Sequence, residues 1–575
     1  MPTKLSSKRR NEKGRALTAL FWRDPERALA MLLTISVFCY GLYEYWCALL
    51  AGAFLALLLY RTVKKGKTIA FPLSLPSAAI YIAVLFYLIS MCWATDKGMA
   101  FFGFLKYLPI PLFIVLSATA GVDRERLLRS LARAGGFSVA ICLPLCVIPE
   151  IRDFFFTNGR FSGTFQYANI YGLFLLASVV ILCEKKISLK SDYALCALCT
   201  LGVFLTGSRS LLVFAAVVFV VLIFVNWRVA LVSASGVLVA ALLAIILTTG
   251  ETLQRAVNLS FTAGEWLNRL AYYQDGFRLI LENPFGLGHL GWWYMQPVIQ
   301  TSVYNVRLIH CWPLQAALDI GAIPALLLIT AAIALFFNKR NGYKAKLLIA
   351  LILGHGLIDF DLSYLSVVFI LVLFLPNDRL VKASVTGRRM AIPLALCSIA
   401  AIASLWLGIA SFLSFSNRDK AAAMLYPLYT EAMERAIVTE PDPEQAFYWA
   451  DRILNLNPYV FDAYVVKSKV YADKKMWLDA VTMKWEYLSI SRFRGSDYDE
   501  LLKYIHFAIQ QADQEGDADT CRHLADLALS VPATLAGLDE SLSPLAYRLE
   551  LPTLSLSEDS TRFLAYIQEF RATLG

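Results

Sequence analysis

Apolar runs of the length that crosses a hydrocarbon core, roughly 20 helical residues, recur from about Ala28 to about Phe415 and then stop. Their spacing predicts spans near residues 28–43, 47–61, 75–93, 101–119, 134–149, 168–183, 192–206, 210–226, 229–248, 313–337, 347–359, 365–376 and 391–415. Beyond residue 416 the chain reads as soluble. The expected fold class is therefore all-α. A polytopic transmembrane bundle of about 12–13 spans occupies residues 28–416, after a basic N-terminus at 1–27 and before a soluble helical domain at 417–575.

The longest loop, about residues 250–312, lies between the ninth and tenth spans. Within it, Trp266, Leu270, Tyr273, Phe277 and Leu281 recur at helical spacing between Gly264 and Asn283, which predicts a helix. Asn283-Pro284 ends it, and Gly286, Gly288 and Gly291 give a flexible turn around His289. After Asn457-Pro458 the C-terminal segment carries Tyr464, Tyr471, Trp477, Ala480 and Leu488, then Ala508, Gly516, Ala525, Ala528 and Pro532. This resembles one or two degenerate tetratricopeptide repeats, with a generic bundle of α-hairpins as the alternative.

Composition sharpens this picture: 58% of the 575 residues are hydrophobic and 17% charged, too few charges for a soluble surface of this size. Residues 418–575 hold 16 basic and 25 acidic side chains, so the membrane part carries +18 of a chain total of +9. That excess sits in short loops. Lys4, Lys8, Arg9, Arg10, Lys13 and Arg15 precede the first span; Arg61, Lys64, Lys65 and Lys67, then Arg124, Arg126, Arg129 and Arg133 follow. Lys185, Lys186 and Lys190, then Arg228, then Lys339, Arg340, Lys344 and Lys346, and finally Arg379, Lys382, Arg388 and Arg389 complete the series. By the positive-inside rule these loops and the N-terminus are cytoplasmic, in a multi-pass protein of the plasma (inner) membrane. The large loop and the C-terminal domain are then extracytoplasmic. Basic residues so distributed argue for a bilayer and against nucleic acid as partner. The first apolar stretch leads directly into further spans, so it is expected to act as an uncleaved signal. Of 11 cysteines, all but Cys311 and Cys521 fall in or beside apolar runs without metal-ligand spacing, which implies neither a disulfide framework nor a metal site.

Arg152, Arg160, Arg209, Arg255, Arg269, Arg278 and Arg307 fall on the predicted outer face, where the rule does not explain them. Four outer segments combine polar side chains with glycine: Arg160 to Gly172, Thr206 to Ser210, Trp266 to Arg269 leading to Pro284 to Gly288, and His310 to Gln315 followed by Asp319 and Gly321. Taken in that order, they resemble the O-antigen ligase and polymerase superfamily of lipid-linked glycan transferases. The loop histidine of that family, its Leu-Gln pair, its acidic residue and its glycine match His310, Leu314, Gln315, Asp319 and Gly321. Cys311 stands where the family usually has Asn, and Asp319 where it has Glu. The family's threonine-x-serine-arginine motif matches Thr206, Ser208 and Arg209, its loop arginine matches Arg269, and its upstream motif matches Arg160, Gly163 and Asn169.

The resemblance implies a metal-independent glycosyltransferase, without cofactor, that takes a glycan from an undecaprenyl-diphosphate carrier. The acceptor is a lipid-anchored core sugar (ligase), another lipid-linked glycan (polymerase) or a protein hydroxyl (O-oligosaccharyltransferase). The chemistry of the residues agrees. A departing diphosphate needs cations, and arginine offers a permanently charged, bidentate fork; Arg160, Arg209 and Arg269 fit that role. Pro313 suits the first turn of a helix, which sets His310 just before an N-terminus that favours anions. His310 is then either the base toward an acceptor hydroxyl or a donor to the leaving diphosphate. Expected catalytic residues are His310, Arg209 and Arg269; expected substrate-binding residues are Arg160, Gly163, Asn169, Ser208, Gln315 and Arg307. His355 and Asp359, one helical turn apart, are expected to share a structural hydrogen bond. A lipid-linked glycan flippase would instead gather charge near the bilayer midplane. A membrane-anchored scaffold would not depend on Arg209 or His310.

Overall fold

The computed structural model describes residues 24–183, 189–247 and 264–574. The basic stretch before residue 24, Lys185, Lys186, Arg255 and the first part of the expected large loop lie outside the described residues.

The described chain is nearly all helix. The first helices are α1 (Pro25–Phe38), α2 (Tyr45–Gly66), α3 (Leu75–Ile89), α4 (Lys97–Tyr107), α5 (Pro109–Ala120), α6 (Arg124–Leu145) and the short α7 (Pro149–Phe155). Then come α8 (Ala168–Leu182), α9 (Lys190–Leu205), α10 (Arg209–Val225), α11 (Trp227–Leu247), α12 (Gly264–Glu282) and α13 (Gly291–Ile299). The apolar series closes with α14 (Trp312–Ile320), α15 (Ala322–Phe337), α16 (Tyr343–His355), α17 (Leu365–Val372) and α18 (Ala391–Phe415). Asp24, Asp96 and Asp123 cap α1, α4 and α6 by accepting from first-turn amides.

Among the described residues six helical segments are long and apolar enough to cross a membrane: Tyr45–Gly66, Leu75–Cys92, Lys97–Ala120, Arg124–Leu145, Trp227–Ile245 and Gly387–Phe415. The fold is that of a polytopic helical membrane protein. α8 is buried almost all round and lies at the centre, whereas α11 and α18 turn Leu231, Leu238, Leu242, Ile392, Leu396 and Ile399 outward, as lipid-facing helices do.

The loops expected to be cytoplasmic meet at one end of the bundle. Strand β1 (Thr68–Pro72) pairs antiparallel with β4 (Leu380–Ser384), joining the loops after α2 and α17. Glu125 receives Lys344 at 3.2 Å, Arg124 donates to the Leu375 carbonyl at 2.7 Å, Glu26 pairs with Arg126 at 2.8 Å, and Arg133 grips Asp192 with two bonds of 2.9 and 3.0 Å. At the opposite end a tight hairpin, β2 (Phe156–Thr157) with β3 (Arg160–Phe161), gathers with the loops after α9, α13 and α16.

The structure corrects two expected spans. Residues 313–337 do not form one helix: the chain breaks between α14 and α15 at Gly321, whose φ is +93°. The freed backbone groups are taken up by the segment before α13, with Leu287 N to Leu318 O at 2.7 Å, Gly288 N to Asp319 O at 3.0 Å and Ala322 N to Pro284 O at 2.9 Å. Gly286 is needed there, because a Cβ would lie 2.5 Å from the Gly321 nitrogen. The segment 365–376 is helical only over Leu365–Val372, too short to cross a bilayer by itself.

After α18 come α19 (Asp419–Leu425), α20 (Thr430–Thr439), α21 (Pro443–Leu456), α22 (Phe461–Asp473), α23 (Trp477–Ile490), α24 (Gly495–Gln514), α25 (Ala518–Glu540) and α26 (Glu558–Thr573). From α20 onward each packs on the next. This run docks on the end of the bundle that bears the hairpin. Asn457 donates to Asp96 at 3.3 Å, Tyr426 to the Gly98 carbonyl at 3.2 Å, and the Ser543 amide to the Thr301 carbonyl at 2.9 Å.

A Cβ at Gly98 would stand 1.9 Å from the Leu428 carbonyl oxygen. Gly98→Ala is therefore expected to cost about 1–3 kcal/mol by overpacking, read as a lower melting temperature in detergent and faster proteolysis between residues 415 and 430. Gly342→Ala, where a Cβ meets nothing within 4 Å, should leave both unchanged.

Candidate functional site

At the hairpin end, one buried carboxylate collects the side chains that the sequence singles out. Asp359 lies in the turn after α16 and is 1% exposed. Its Oδ1 accepts from the Phe360 amide at 2.9 Å and faces His310 Nδ1 at 3.1 Å; its Oδ2 accepts from Asn169 Nδ2 at 2.7 Å. The Tyr167 hydroxyl reaches both oxygens at 3.3 Å.

Each partner is itself held. Asn169 sits in the first turn of α8, where its Oδ1 accepts from Arg160 Nη2 at 2.5 Å, and Arg160 Nε donates to the Thr206 carbonyl at 2.8 Å. Arg269, on α12, donates to the carbonyl of Ile358, next to Asp359, and Tyr273, one turn on, donates to the carbonyl of His310. The His310 ring packs edge-on against Phe360, with centroids 5.0 Å apart. A carboxylate facing Nδ1 keeps the imidazole proton there and leaves Nε2, which has no hydrogen-bond partner among the described residues, as a proton acceptor.

A second chain of contacts runs beside the first. Arg209 opens α10 and pairs with Glu265 at 2.9 Å. Ser208 and Ser210 are 3.2 Å apart, Ser210 faces His355 Nε2 at 3.2 Å, and His355 Nδ1 faces Asp361 at 2.7 Å. The N-termini of α8 and α10 and the start of α14 at Trp312, two residues after His310, lie around this cluster. Three helix N-termini beside arginine side chains form a setting for anionic oxygens.

The structure thus brings Arg160, Asn169, Arg269 and His310 together on Asp359, with Arg209 and Ser208 alongside. Gly163, Gln315 and Arg307 stand elsewhere. Gly163 has φ +52° and lies under Tyr171, where a Cβ would be 2.2 Å from the ring. Gln315 is buried and bridges the Ile309 amide, at 2.8 Å, to Asp319, at 2.7 Å. Arg307 pairs at 2.8 Å with Glu431 of α20, across the junction with the C-terminal helices. His289 is buried, with Tyr45 at 2.7 Å on Nε2 and Asp319 at 3.6 Å from Nδ1. The expected bond between His355 and Asp359 is absent because α16 ends at His355, so the helical turn that would align them is not made. His355 takes Asp361 instead, and Asp359 becomes the hub that sequence reading missed. Its one signal is an acidic residue at the end of an apolar run, close to a second acid and a histidine. Among the described residues no three or more His, Cys, Asp or Glu side chains are gathered as for a metal ion.

Residues 194–330 match the model of the O-antigen ligase family. Over these residues the chain is similar to that family. The match spans Arg209, Arg269 and His310, whereas Arg160, Asn169 and Asp359 lie outside it and are tied to the matched region by the hydrogen bonds above. No curated protein matches the chain.

Glu431 links Arg307 to Arg435, at 2.8 and 3.2 Å. Burial pushes its carboxyl up, but the two guanidinium groups outweigh burial and hold it below the ordinary carboxylate range. A carboxylate held low adds stability that is present in full above its unfolded value, near 4.5, and is lost as pH falls through the folded value. Docking of the C-terminal helices, followed by proteolysis of the 415–430 connection, should therefore be constant from neutral pH down to about 5 and weaken in stronger acid. Glu431→Gln should weaken it already at neutral pH and flatten the acid response.

Proposed function

We propose that the protein is a glycosyltransferase that moves a preassembled glycan from an undecaprenyl-diphosphate carrier to an acceptor hydroxyl on the outer side of the plasma membrane. The observation that carries this reading is the pairing of His310 with a buried carboxylate beside Arg160, Arg209 and Arg269. His310 Nε2 takes the proton of the acceptor hydroxyl as its oxygen bonds to the anomeric carbon of the donor sugar. The anomeric carbon–phosphate oxygen bond breaks, and its electron pair leaves on the diphosphate. Arg160, Arg209 and Arg269, with the neighbouring helix N-termini, stabilise that charge, so the reaction proceeds without a metal. Asp359 is a positioning residue that fixes the tautomer and angle of His310.

A place for the carrier's chain lies next to this cluster. A cavity of 180 Å³ is walled by apolar side chains, among them Ile80, Val84, Ile110, Leu328 and Leu371, and Phe360 lines it as well as touching His310. An isoprenoid in this groove would bring its diphosphate end toward the arginines. In this reading the loops joined by β1 and β4 are cytoplasmic, and the C-terminal helices are an extracytoplasmic, tetratricopeptide-like domain over the site.

The test is transfer by purified protein from an undecaprenyl-diphosphate glycan, in EDTA, offered lipid, glycan and protein acceptors. His310→Ala and Arg209→Ala should each lower kcat by about 10²–10⁴-fold. Asp359→Asn should lower kcat by a larger factor than it raises the donor KM. Undiminished transfer by His310→Ala, or no turnover of donor by the wild type with any acceptor, would overturn the proposal.

A further inference from the structure

A second cavity, of 380 Å³, opens where the bundle meets the C-terminal helices. Tyr43, Tyr45 and Lys106 come from the bundle, Arg307 from the loop before α14, and Tyr429 and Arg435 from α20 and the turn before it. It is polar where the isoprenoid groove is apolar, and its charges are unevenly satisfied. Arg435 spends all three arms, on Asp419 at 3.0 Å, on Glu431 at 3.2 Å and on Ser414. Arg307 is spent on Glu431. Lys106 is different. It is 4% exposed, yet it neither donates a hydrogen bond nor makes an ion pair to any described residue. Its ammonium stands over the rings of Tyr43, at 4.5 Å, and Tyr45, at 5.0 Å, and lines the cavity.

A largely buried ammonium with two ring faces on one side and a polar cavity on the other has no anion paired with it. Glu44 lines the same cavity, beyond ion-pair distance of Lys106. A ligand that satisfies both brings a negative group to Lys106 and hydroxyl donors to Glu44, and lays a C–H face on the tyrosines. An acidic sugar has these three features together. The cavity also adjoins the reaction centre: Tyr43 lies against Phe360, with ring centroids 6.2 Å apart, and Phe360 packs on His310.

We propose that this cavity is a saccharide subsite selective for an anionic sugar residue of the acceptor glycan, with its carboxylate on Lys106 and Tyr43 separating it from the reaction centre. The existence of the subsite stands on the geometry; its assignment to the acceptor rests on the transferase reading.

The experiment is calorimetric titration of the full-length protein in lipid nanodiscs with a glucuronic acid-terminated disaccharide and with its neutral glucose counterpart. The wild type should bind the acidic sugar about tenfold or more tightly than the neutral one, as a charged hydrogen bond in a buried site implies. Lys106→Met should lose that preference, and His310→Ala should keep it. A wild type without preference overturns the proposal whatever the variants do, and so does a Lys106→Met protein that retains it. Displacement of the acidic disaccharide by farnesyl diphosphate would assign the cavity to the donor's diphosphate and overturn it equally. Binding is read without turnover, so failure of the transfer assay and failure of this one are separate results.

Discussion

The site depends on a single carboxylate kept out of water. Asp359 is the shared acceptor of an imidazole, a carboxamide, a phenol and a backbone amide. Tyr167 and Asn169 follow α7, His310 follows α13 and Phe360 follows α16, so these three loops have one arrangement in which all the bonds are made. An isolated buried carboxylate costs several kcal/mol, and here that cost is offset only when every loop is in place. Fixing these loops also fixes Arg160 through Asn169, and Arg269 through the carbonyl beside Asp359.

The break at Gly321 performs a similar task in the backbone. Non-helical chain at membrane depth is tolerated where it is buried in protein or lines a cavity, provided its amides and carbonyls find partners. The Pro284–Gly288 segment supplies them, which ties the turn around His289 to the start of α15. Asp319 stands at this junction, accepting from Tyr87 at 2.9 Å and from Gln315. The polar residues on α14 thus serve the architecture that presents His310 rather than the cluster around it.

Much of this was legible in the sequence, for physical reasons that also mark where legibility ends. Apolar run length reveals helices, and loop charge sorts their ends, so the loops around Lys67, Arg124, Lys344 and Lys382 could be grouped before any contact was known. The helix between Gly264 and Glu282 followed from the spacing of Trp266, Leu270, Tyr273, Phe277 and Leu281. Arg160, Asn169, Arg269 and His310 stood out because polar side chains beside apolar runs need a reason. Asp359 did not, because periodicity counts it into a helix that stops at His355. Arg307 was drawn to His310 by proximity in sequence, whereas its partner, Glu431, is 124 positions further along the chain. Pairings at that separation follow from how the domains dock, which no local pattern records.

The polar cavity has a consequence for how the protein is made. Its floor comes from residues near 43–45 and 106, but its roof comes from residues 429–435, which the ribosome adds only after the last apolar helix. A nascent chain can assemble the hub on Asp359 while the cavity beside it is still an open cleft. Completion of that cleft is thus a late event in biogenesis, and one that truncation anywhere before α20 would prevent.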